Sequence, residues 1–388
     1  MNQGKYVFAQ VSSFLPVRIF DRIVTQYEGN KRVRHFTCWN QMMCMMFGQL
    51  SGRDSLRDLI TTLQAHTGKY YHLGLGKNIS RSNLAEVNET RDYRIYECFA
   101  YELITIARKR LVSDTEFTLD IRENVYAFDS TIINLCLEVF WWASFRKMEG
   151  AIKLHTLYDV KTSIPAFVYI TSGKVPDVNG LDVLTYETGG FYVMDKGYID
   201  FQRLYNIHQH QAFFVTRAKA NMQFTKVSST ITKSNVRSDQ TIVLKGIKTF
   251  FYYPEKMRLI TFYDVDSKRE FMFLTNNFIL AAQDIAMLYK YRWRVELFFK
   301  WIKQHLKIKS FWGTSANAVK TQVYIALITY TLVALIKNQL KTDLSTYEML
   351  QILSVSLFDK TQLNQLFQNH FYQYVKEQNP KQLKINLI

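Results

Sequence analysis

The segment from residue 285 to residue 303 constrains the fold more than any other part of the chain. It is rich in apolar residues, and a helix of that composition is expected to be largely buried. Four of its polar residues have offsets of 0, 3, 7 and 14, which places them within roughly 60° of arc on one helical face: Tyr289, Arg292, Glu296 and Lys303. A buried glutamate is costly without partners, so the fold must place suitable groups opposite this face.

Two kinds of partner would satisfy this helical face. Arg292 and Glu296 are four residues apart and could pair with each other, which is a common structural arrangement. Alternatively, a metal ion would pair with the glutamate while DNA phosphates pair with the residues around it. The helix alone leaves both alternatives open.

Two aspartates lie at the ends of short, apolar, β-prone runs. Asp129 stands near the end of the run from residue 124 to 131, and Asp195 follows the run from residue 190 to 194. Either aspartate alone also fits an ordinary turn, but α/β folds place chemistry at strand ends next to turns. Together with Glu296 they make three carboxylates, which is the ligand set for two Mg²⁺ or Mn²⁺ ions in phosphoryl-transfer enzymes.

This combination resembles the Asp-Asp-Glu triad of bacterial insertion-sequence DDE transposases. The spacing Tyr289-x2-Arg292-x3-Glu296-x6-Lys303 resembles the Tyr-Arg-Glu-Lys signature of the insertion sequence four family. The segment from Asp195 to Tyr198 resembles the second-aspartate motif of the same family, which is Asp, one residue, Gly and an aromatic residue. The similarity extends from about residue 80 to about residue 340.

The resemblance implies a role for each of these residues. Asp129, Asp195 and Glu296 would be the catalytic residues and would hold two Mg²⁺ or Mn²⁺ ions. Tyr289, Arg292 and Lys303 would contact DNA phosphates beside the scissile bond. Arg217, at the end of a core strand, would be a further phosphate contact, with a plain surface charge as the alternative.

The same resemblance implies partners and a reaction route. The partner would be double-stranded DNA, both the terminal inverted repeats of the element and the target DNA, bound by a homodimer in a two-end complex. The route would be cut-and-paste transposition. Some relatives stack a flipped base on a tryptophan of a β-rich insertion, whereas the corresponding segment here contains no tryptophan and offers Phe250, Phe251, Tyr252 and Tyr253 instead.

Charge agrees with a nucleic-acid partner. The 388 residues carry a net charge of +16, which indicates a polyanionic partner. The alternative is a soluble basic enzyme whose charge has no role in binding. Aromatic residues make up 15% of the chain while Pro (5) and Gly (15) are scarce, which predicts a densely packed protein.

The sequence predicts a cytoplasmic, nucleoid-associated protein without a membrane partner. Its four cysteines form no Cys-x-x-Cys pair, so we interpret them as free thiols: Cys38, Cys44, Cys98 and Cys136. The first residues lack the pattern of a signal peptide. The longest apolar run, from residue 323 to 336, is short for a membrane span and fits a buried core helix.

The change in hydrophobic period along the chain predicts an α/β fold in four parts. Residues 1–115 form a helical N-terminal domain that binds the DNA ends. Residues 116–218 and 279–340 form a ribonuclease H-like catalytic core. A β-rich insertion covers residues 219–278, and a helical tail covers residues 341–388. In the first part, helices at 36–50 and 54–63 suit a helix-turn-helix, with an ordinary helical hairpin as the alternative. In the core we expect strands at 117–121, 124–131, 151–160, 164–171, 190–194 and 212–218, with helices at 179–187 and 200–208.

Two other functions remain compatible with the sequence. One is a ribonuclease H-like, metal-dependent DNA nuclease or resolvase without strand transfer. The other is a non-catalytic DNA-binding inhibitor of transposition, against which the intact triad argues.

Overall fold

The computed structural model describes residues 4–76, 79–111, 117–135, 140–146, 149–230, 235–305 and 311–367. Cys136 and the part of the predicted helical tail from residue 368 onward lie outside these residues. The predicted division into four parts stays a prediction.

Helices occupy both ends of the described chain. The first group lies before the sheet: α1 Val7–Ser12, α2 Val17–Gln26, α3 Cys38–Leu50, α4 Leu56–Gln64, α5 Tyr70–Leu73, α6 Arg81–Thr90 and α7 Arg94–Arg110. The others are α8 Phe201–Gln209, α9 Ile247–Tyr252, α10 Ala282–Lys290, α11 Trp293–His305, α12 Ala316–Leu340, α13 Thr346–Ser356 and α14 Leu363–Leu366.

Within the described residues, ten strands form one mixed sheet. They are β1 Val125–Leu135, β2 Ser144–Arg146, β3 Glu149–Asp159, β4 Ile164–Ser172, β5 Phe191–Met194, β6 Phe213–Arg217, β7 Phe224–Thr230, β8 Val236–Leu244, β9 Met257–Asp264 and β10 Arg269–Thr275. The order is β2-β3-β1-β5-β6-β10-β9-β8-β7, and β4 also pairs with β3. Strands β1, β5 and β6 are mutually parallel, and the other pairings are antiparallel.

The central strands separate two apolar layers, because successive side chains of a strand point to opposite faces. Ala127, Val193 and Val215 belong to the larger core, which also contains apolar residues of α7 and α10 to α12. Phe128 and Met194 belong to a second core, which contains apolar residues of α8. Odd-numbered positions of these three strands therefore face α10 and α11.

The predicted helical pair is confirmed as α3 and α4. Thr37 and Asn40 form a capping box at the start of α3, and Ser55 caps α4. Gly52, at φ +67°, adopts the left-handed conformation that the tight turn between the helices requires. Helix α3 is almost wholly buried, so only α4 presents an exposed face, with Arg57 and Thr61 on it.

The apolar run from residue 323 to 336 lies in α12 and is confirmed as a core helix. Among the described residues, α12 is the one helix long and apolar enough to cross a membrane. In its most apolar stretch of 18 residues, 89% of the residues are buried inside the protein. It packs against α3, α6 and α7, so protein side chains supply its apolar surroundings.

Three predicted elements are wrong. Residues 117–121 form no strand, because the N–H and hydroxyl of Thr118 bond to the Tyr291 hydroxyl and hold this segment against the helical layer. The helix predicted at 179–187 is a 3₁₀ helix, Asp177–Val183, and the N–H of Glu187 donates to the Tyr192 hydroxyl instead. The single helix predicted from 285 to 303 is broken into α10 and α11.

Gly48 offers a test of how tightly α3 packs. A Cβ at this position would lie 2.5 Å from Cη2 of Trp312 and 3.0 Å from Cδ2 of Leu59. We expect Gly48→Ala to lower the free energy of unfolding by about 1–3 kcal/mol, because overpacking outweighs the better helix propensity of alanine. Urea unfolding measures the change. Gly68→Ala is the control, because a Cβ there meets nothing within 4 Å. An equal effect of both substitutions would contradict the packing.

Candidate active site

The two aspartates lie side by side at the ends of neighbouring parallel strands. Phe128 of β1 and Met194 of β5 are directly opposite each other in the sheet. Asp129 and Asp195 are the next residues, so their Cα atoms are about 5 Å apart. Both are odd-numbered positions and face α10 and α11, where the sequence predicted a third carboxylate.

Arg292 joins this strand end to the glutamate of α11. Its Nη1 lies 3.2 Å from Oδ2 of Asp129, and its Nη2 lies 2.6 Å from Oε1 of Glu296. Because the two terminal nitrogens of one guanidinium are about 2.3 Å apart, the bound oxygens of Asp129 and Glu296 lie within about 8 Å of each other. The structure thus contains the Arg–Glu pair of the structural alternative and, through the same guanidinium, a contact with the first aspartate.

Tyr289 and Arg217 lie on the side of Asp195. The Tyr289 hydroxyl donates to Oδ1 of Asp195 at 3.1 Å, and its ring packs on Phe273 with centroids 5.0 Å apart. Arg217 lies opposite Phe273 in the sheet, with its guanidinium 5.1 Å from the Phe271 ring centre. Arg217 therefore stands on the same face as the aspartates, one strand further along.

Lys303 lies near the other end of α11. Its Nζ donates to Oγ1 of Thr131 at 2.5 Å and to the carbonyl of Ile132 at 2.8 Å. These residues follow Asp129 on β1, so the ammonium stands beside the same strand. The contacts also tie α11 to the sheet.

The break between α10 and α11 determines how Arg292 reaches the aspartate. Around the break, backbone N–H groups bond three residues back, from Tyr291 to Leu288, from Arg292 to Tyr289 and from Val295 to Arg292. Such bonds wind the chain more tightly than an α-helix. Tyr289 therefore belongs to α10, Arg292 to the connection and Glu296 to α11, yet all three face the strand ends.

The two aspartates have different electrostatic surroundings. Burial raises the pKa of Asp129, while the N–H of Ser130 and the charge of Arg292 act in the opposite direction. Burial also acts to raise the pKa of Asp195, but the N–H of Lys196, the Tyr289 hydroxyl and Arg292 together hold it below its ordinary value. Asp129 thus carries the larger uncompensated burial cost, which a further cation would relieve.

One contact of this site received no role from the sequence. The Tyr198 hydroxyl donates to Oδ1 of Asp129 at 3.3 Å, next to the bond of 2.8 Å from the Ser130 N–H. Tyr198 is the aromatic residue of the second-aspartate motif and is buried. The motif singled out the position, but only the fold shows that it contacts the other aspartate.

The chemistry of the donors fits hard divalent cations, because Mg²⁺ and Mn²⁺ prefer carboxylate oxygens. The three carboxylates of Asp129, Asp195 and Glu296 reach the same face of the sheet. Arg292 here supplies the positive charge between two of them, and no group of three His, Cys, Asp or Glu side chains within the described ranges stands ready to hold one ion. A metal would therefore bind beside Arg292 or displace it.

Comparison with known proteins identifies relatives over most of the chain. The family described as "Transposase DDE domain" matches residues 121–332, which is more than half of the chain and includes all seven predicted site residues. The family described as "Domain of unknown function (DUF4372)" matches residues 3–76.

Three curated relatives carry transposase names. One from Sinorhizobium fredii, named as transposase y4zB, is 37% identical over 210 residues, which cover 53% of this chain and 58% of the relative. One from Geobacillus stearothermophilus, named for insertion sequence element IS5377, is 32% identical over 217 residues, covering 55% and 56%. One from Synechocystis, named for insertion sequence element IS4SA, is 24% identical over 290 residues, covering 74% and 80%. The chain thus spans just over half the length of the first two relatives.

Lys290, at the end of α10, offers a test of how the tyrosine side of the site is held. Its Nζ lies 2.8 Å from Asp264 of β9, and together with the Ser267 hydroxyl it lowers the pKa of Asp264 to about 2. Because the pKa of Asp264 is lowered in the folded protein, this ion pair stabilises the fold at pH values above the ordinary pKa of 3.8. The stabilisation is lost as the pH falls towards 2. We expect Asp264→Asn to cost up to about 1 kcal/mol at pH 7, because the lysine is half exposed.

Urea unfolding between pH 7 and pH 3 measures this effect. The difference between Asp264→Asn and the wild type should shrink below about pH 4. Asp266→Asn is the matched control, because its carboxylate is 90% exposed and lies 3.7 Å from the same lysine. A cost that is constant across this range would show that the ion pair does not hold α10.

Proposed function

The chain belongs to the DDE transposase family of bacterial insertion sequences, and on this basis we propose that it is a DNA transposase of the insertion sequence four group. The observation that carries the proposal is the contact of one guanidinium, that of Arg292, with both Asp129 and Glu296 beside Asp195. The chain would cleave the ends of its element and transfer them into target DNA by a cut-and-paste route.

The proposed catalytic core is ribonuclease H-like. Support comes from the strand order β4-β3-β1-β5-β6, in which a three-stranded antiparallel unit is followed by two strands parallel to β1. This order places two strand ends side by side at a point where ligands bind in open α/β sheets. The strands β7 to β10, which form the predicted β-rich insertion, extend the same sheet beyond β6.

Asp129, Asp195 and Glu296 are the proposed ligands of two Mg²⁺ or Mn²⁺ ions. Bound ions would stabilise the attacking and leaving oxygens of an in-line displacement at phosphorus. The ionised carboxylate of Asp195 and the buried carboxylate of Asp129 supply hard oxygen donors.

Arg292 has the clearest role in holding the substrate. Its Nε is buried and has no hydrogen-bond partner among the described residues, so a phosphate oxygen would satisfy it. A guanidinium fork fixes both the position and the orientation of a phosphate. Tyr289, Lys303 and Arg217 flank this point on the same sheet face. Lys303 and Arg217 would neutralise neighbouring phosphates, and the Tyr289 hydroxyl would donate a hydrogen bond to one.

The proposed partner is double-stranded DNA, and a homodimer would hold the two terminal inverted repeats in one complex. The net charge of +16 supports a polyanionic partner, and a cytoplasmic, nucleoid-associated protein would meet it. The test is incubation of the purified protein with paired end fragments, Mg²⁺ and a target plasmid. A two-end complex and joined products are expected. Cleavage without joining would instead identify a nuclease or resolvase, and binding without cleavage an inhibitor.

Substitution of each carboxylate tests the ligand assignment. Asp129→Ala, Asp195→Ala and Glu296→Ala should each lower the rate of DNA cleavage by at least about 100-fold, since even groups that only orient metal ligands contribute 10–100-fold. DNA binding should remain near the wild-type affinity, because each substitution keeps the cations that would contact phosphates and removes a negative charge. Cleavage in Mg²⁺ and binding in chelator measure the two effects. The control is Asp266→Ala, an exposed carboxylate. A variant that cleaves at the wild-type rate would show that its residue is not a ligand.

Arg292 and Lys303 should affect different steps. Arg292→Ala should reduce cleavage more than binding, because the fork positions the phosphate for attack. Arg292→Lys keeps the charge but not the fork and should restore binding better than cleavage. Lys303→Ala should weaken binding similarly for all sequences and reduce the slope of log affinity against log salt by about 0.9, as loss of one phosphate contact does. Binding titrations over a range of salt, with cleavage rates, measure both. Wild-type slopes and rates in all variants would identify this face as a structural ion-pair network.

A further inference from the structure

A second basic surface lies in the N-terminal helices. A groove of roughly 530 Å³ runs between the first turns of α4 and α6, and Trp312 forms one wall of it. The residues that matter here are Arg57 of α4, Arg81 and Ser82 of α6, and Trp312 itself. None of them belongs to the candidate active site.

Both helices have residues of their first turn at this groove. Ser55 and Ser80 cap the two helices by accepting the N–H groups of Asp58 and Asn83. The N–H groups of the first two residues of each helix have no acceptor within the helix. The helices are nine and ten residues long, so each contributes the partial positive charge of its N-terminus.

The side chains around the groove add positive charge. Arg57 and Arg81 are exposed, and neither makes a hydrogen bond or an ion pair with another residue in the described parts of the chain. The residues that line the groove include no carboxylate. The nearest acid on α4, Asp58, is paired with Arg53 at 3.3 Å. The residues that line the groove therefore present hydrogen-bond donors and positive charges that no negative charge in the lining balances.

The indole N–H of Trp312 is a separate, independent observation at this groove. It is only 7% exposed, and its Nε1 is buried without a hydrogen-bond partner among the described residues. The far edge of its six-membered ring lies against Gly48 of α3, so the pyrrole edge that carries Nε1 is directed away from α3. Its backbone N–H donates to Oε1 of Gln322, which holds it in place. An unsatisfied buried donor costs about 1–3 kcal/mol, and this donor belongs to a side chain that lines the groove.

We propose that this groove binds the phosphate backbone of duplex DNA, on the flank of the element end that is cut at Asp129, Asp195 and Glu296. The proposal rests on the proposed transposase function. Trp312 is nine residues beyond Lys303, so the covalent chain limits their separation to about 32 Å. That upper limit is about one turn of B-DNA, so the two places are close enough in the chain for one duplex to span them. The groove is open and its two arginines stand on different helices, which suits a continuous backbone better than a single small anion.

Binding of end DNA over a range of salt tests the groove. Arg57→Ala and Arg81→Ala should each reduce the slope of log affinity against log salt by about 0.9, and the double variant by about 1.8. The effect should be the same for end DNA and for unrelated DNA. At saturating DNA the cleavage rate should stay at the wild-type value, because neither residue touches the reacting phosphate. Arg18→Ala is the matched control, because it removes an exposed arginine from α2 and should leave the slope unchanged.

A charge reversal separates a binding defect from a folding defect. Ser82→Glu places a carboxylate in the first turn of α6, where an acidic residue stabilises the helix. It should therefore raise or preserve the free energy of unfolding and still weaken DNA binding at least tenfold at low salt. Phosphate-ethylation interference should also lose a signal within about ten base pairs of the cleaved end in Arg57→Ala.

The outcomes distinguish this proposal from the proposed function. If both arginine variants and Ser82→Glu kept the wild-type salt slope, the groove would not be a DNA-binding site. The proposed function would then still be tested by the carboxylate variants. Calorimetry with inorganic phosphate tests for a free-anion site. If these variants lost phosphate binding but kept wild-type DNA binding, the groove would be a free-anion site, and the proposal that it binds DNA would be wrong. If Glu296→Ala still cleaved DNA, the proposed active site would fail even where the groove binds as expected.

Discussion

The contact of Arg292 with Asp129 and Glu296 is the interaction on which the arrangement of the site depends. Two carboxylates, one from the sheet and one from α11, are both bound by one guanidinium that stands between them. Breaking such a partly buried pair would leave charges without compensation, which costs several kcal/mol. The same contact, together with the bonds of Lys303 to Thr131 and Ile132, holds α11 against β1. A phosphate would thus engage the same guanidinium, and metal ions would engage the same carboxylates.

Strand register is the second constraint. Asp129, Asp195 and Arg217 share a face because each follows an apolar residue of the same layer by two positions, namely Ala127, Val193 and Val215. A slip of one residue in any of these strands would turn its polar end to the layer of α8. The apolar pairing therefore specifies which residues face the site, independently of the polar contacts. The polar contacts then select the side-chain conformations.

Much of this arrangement could be predicted from the sequence, and the exceptions have a common physical cause. The hairpin of β3 and β4, the pair α3 and α4, and the strands β8 to β10 have strong local periodicity, and the structure contains them. Segment 117–121 and the break at Arg292 depend on contacts with distant residues, for example the bond from Thr118 to the Tyr291 hydroxyl. The strand β7 is polar and almost wholly exposed, so its sequence carries no alternation to detect. The ligand assignment stays a prediction, whereas the proximity of its residues follows from the geometry.

Helix α12 connects the two surfaces that the protein would present to DNA. It begins just after Trp312, and it packs against α3 and α6 near the groove and against β4 and α13 further along. Because protein interiors are close-packed, the two ends of a helix that is buried along its length move little relative to each other. Such packing would favour a constant spacing between the groove and the strand ends. A fixed spacing would favour DNA whose cleavage point lies at a set distance from the bound flank. The apolar core would in this way contribute to the choice of the cutting position, which the three proposed metal-binding carboxylates alone would not determine.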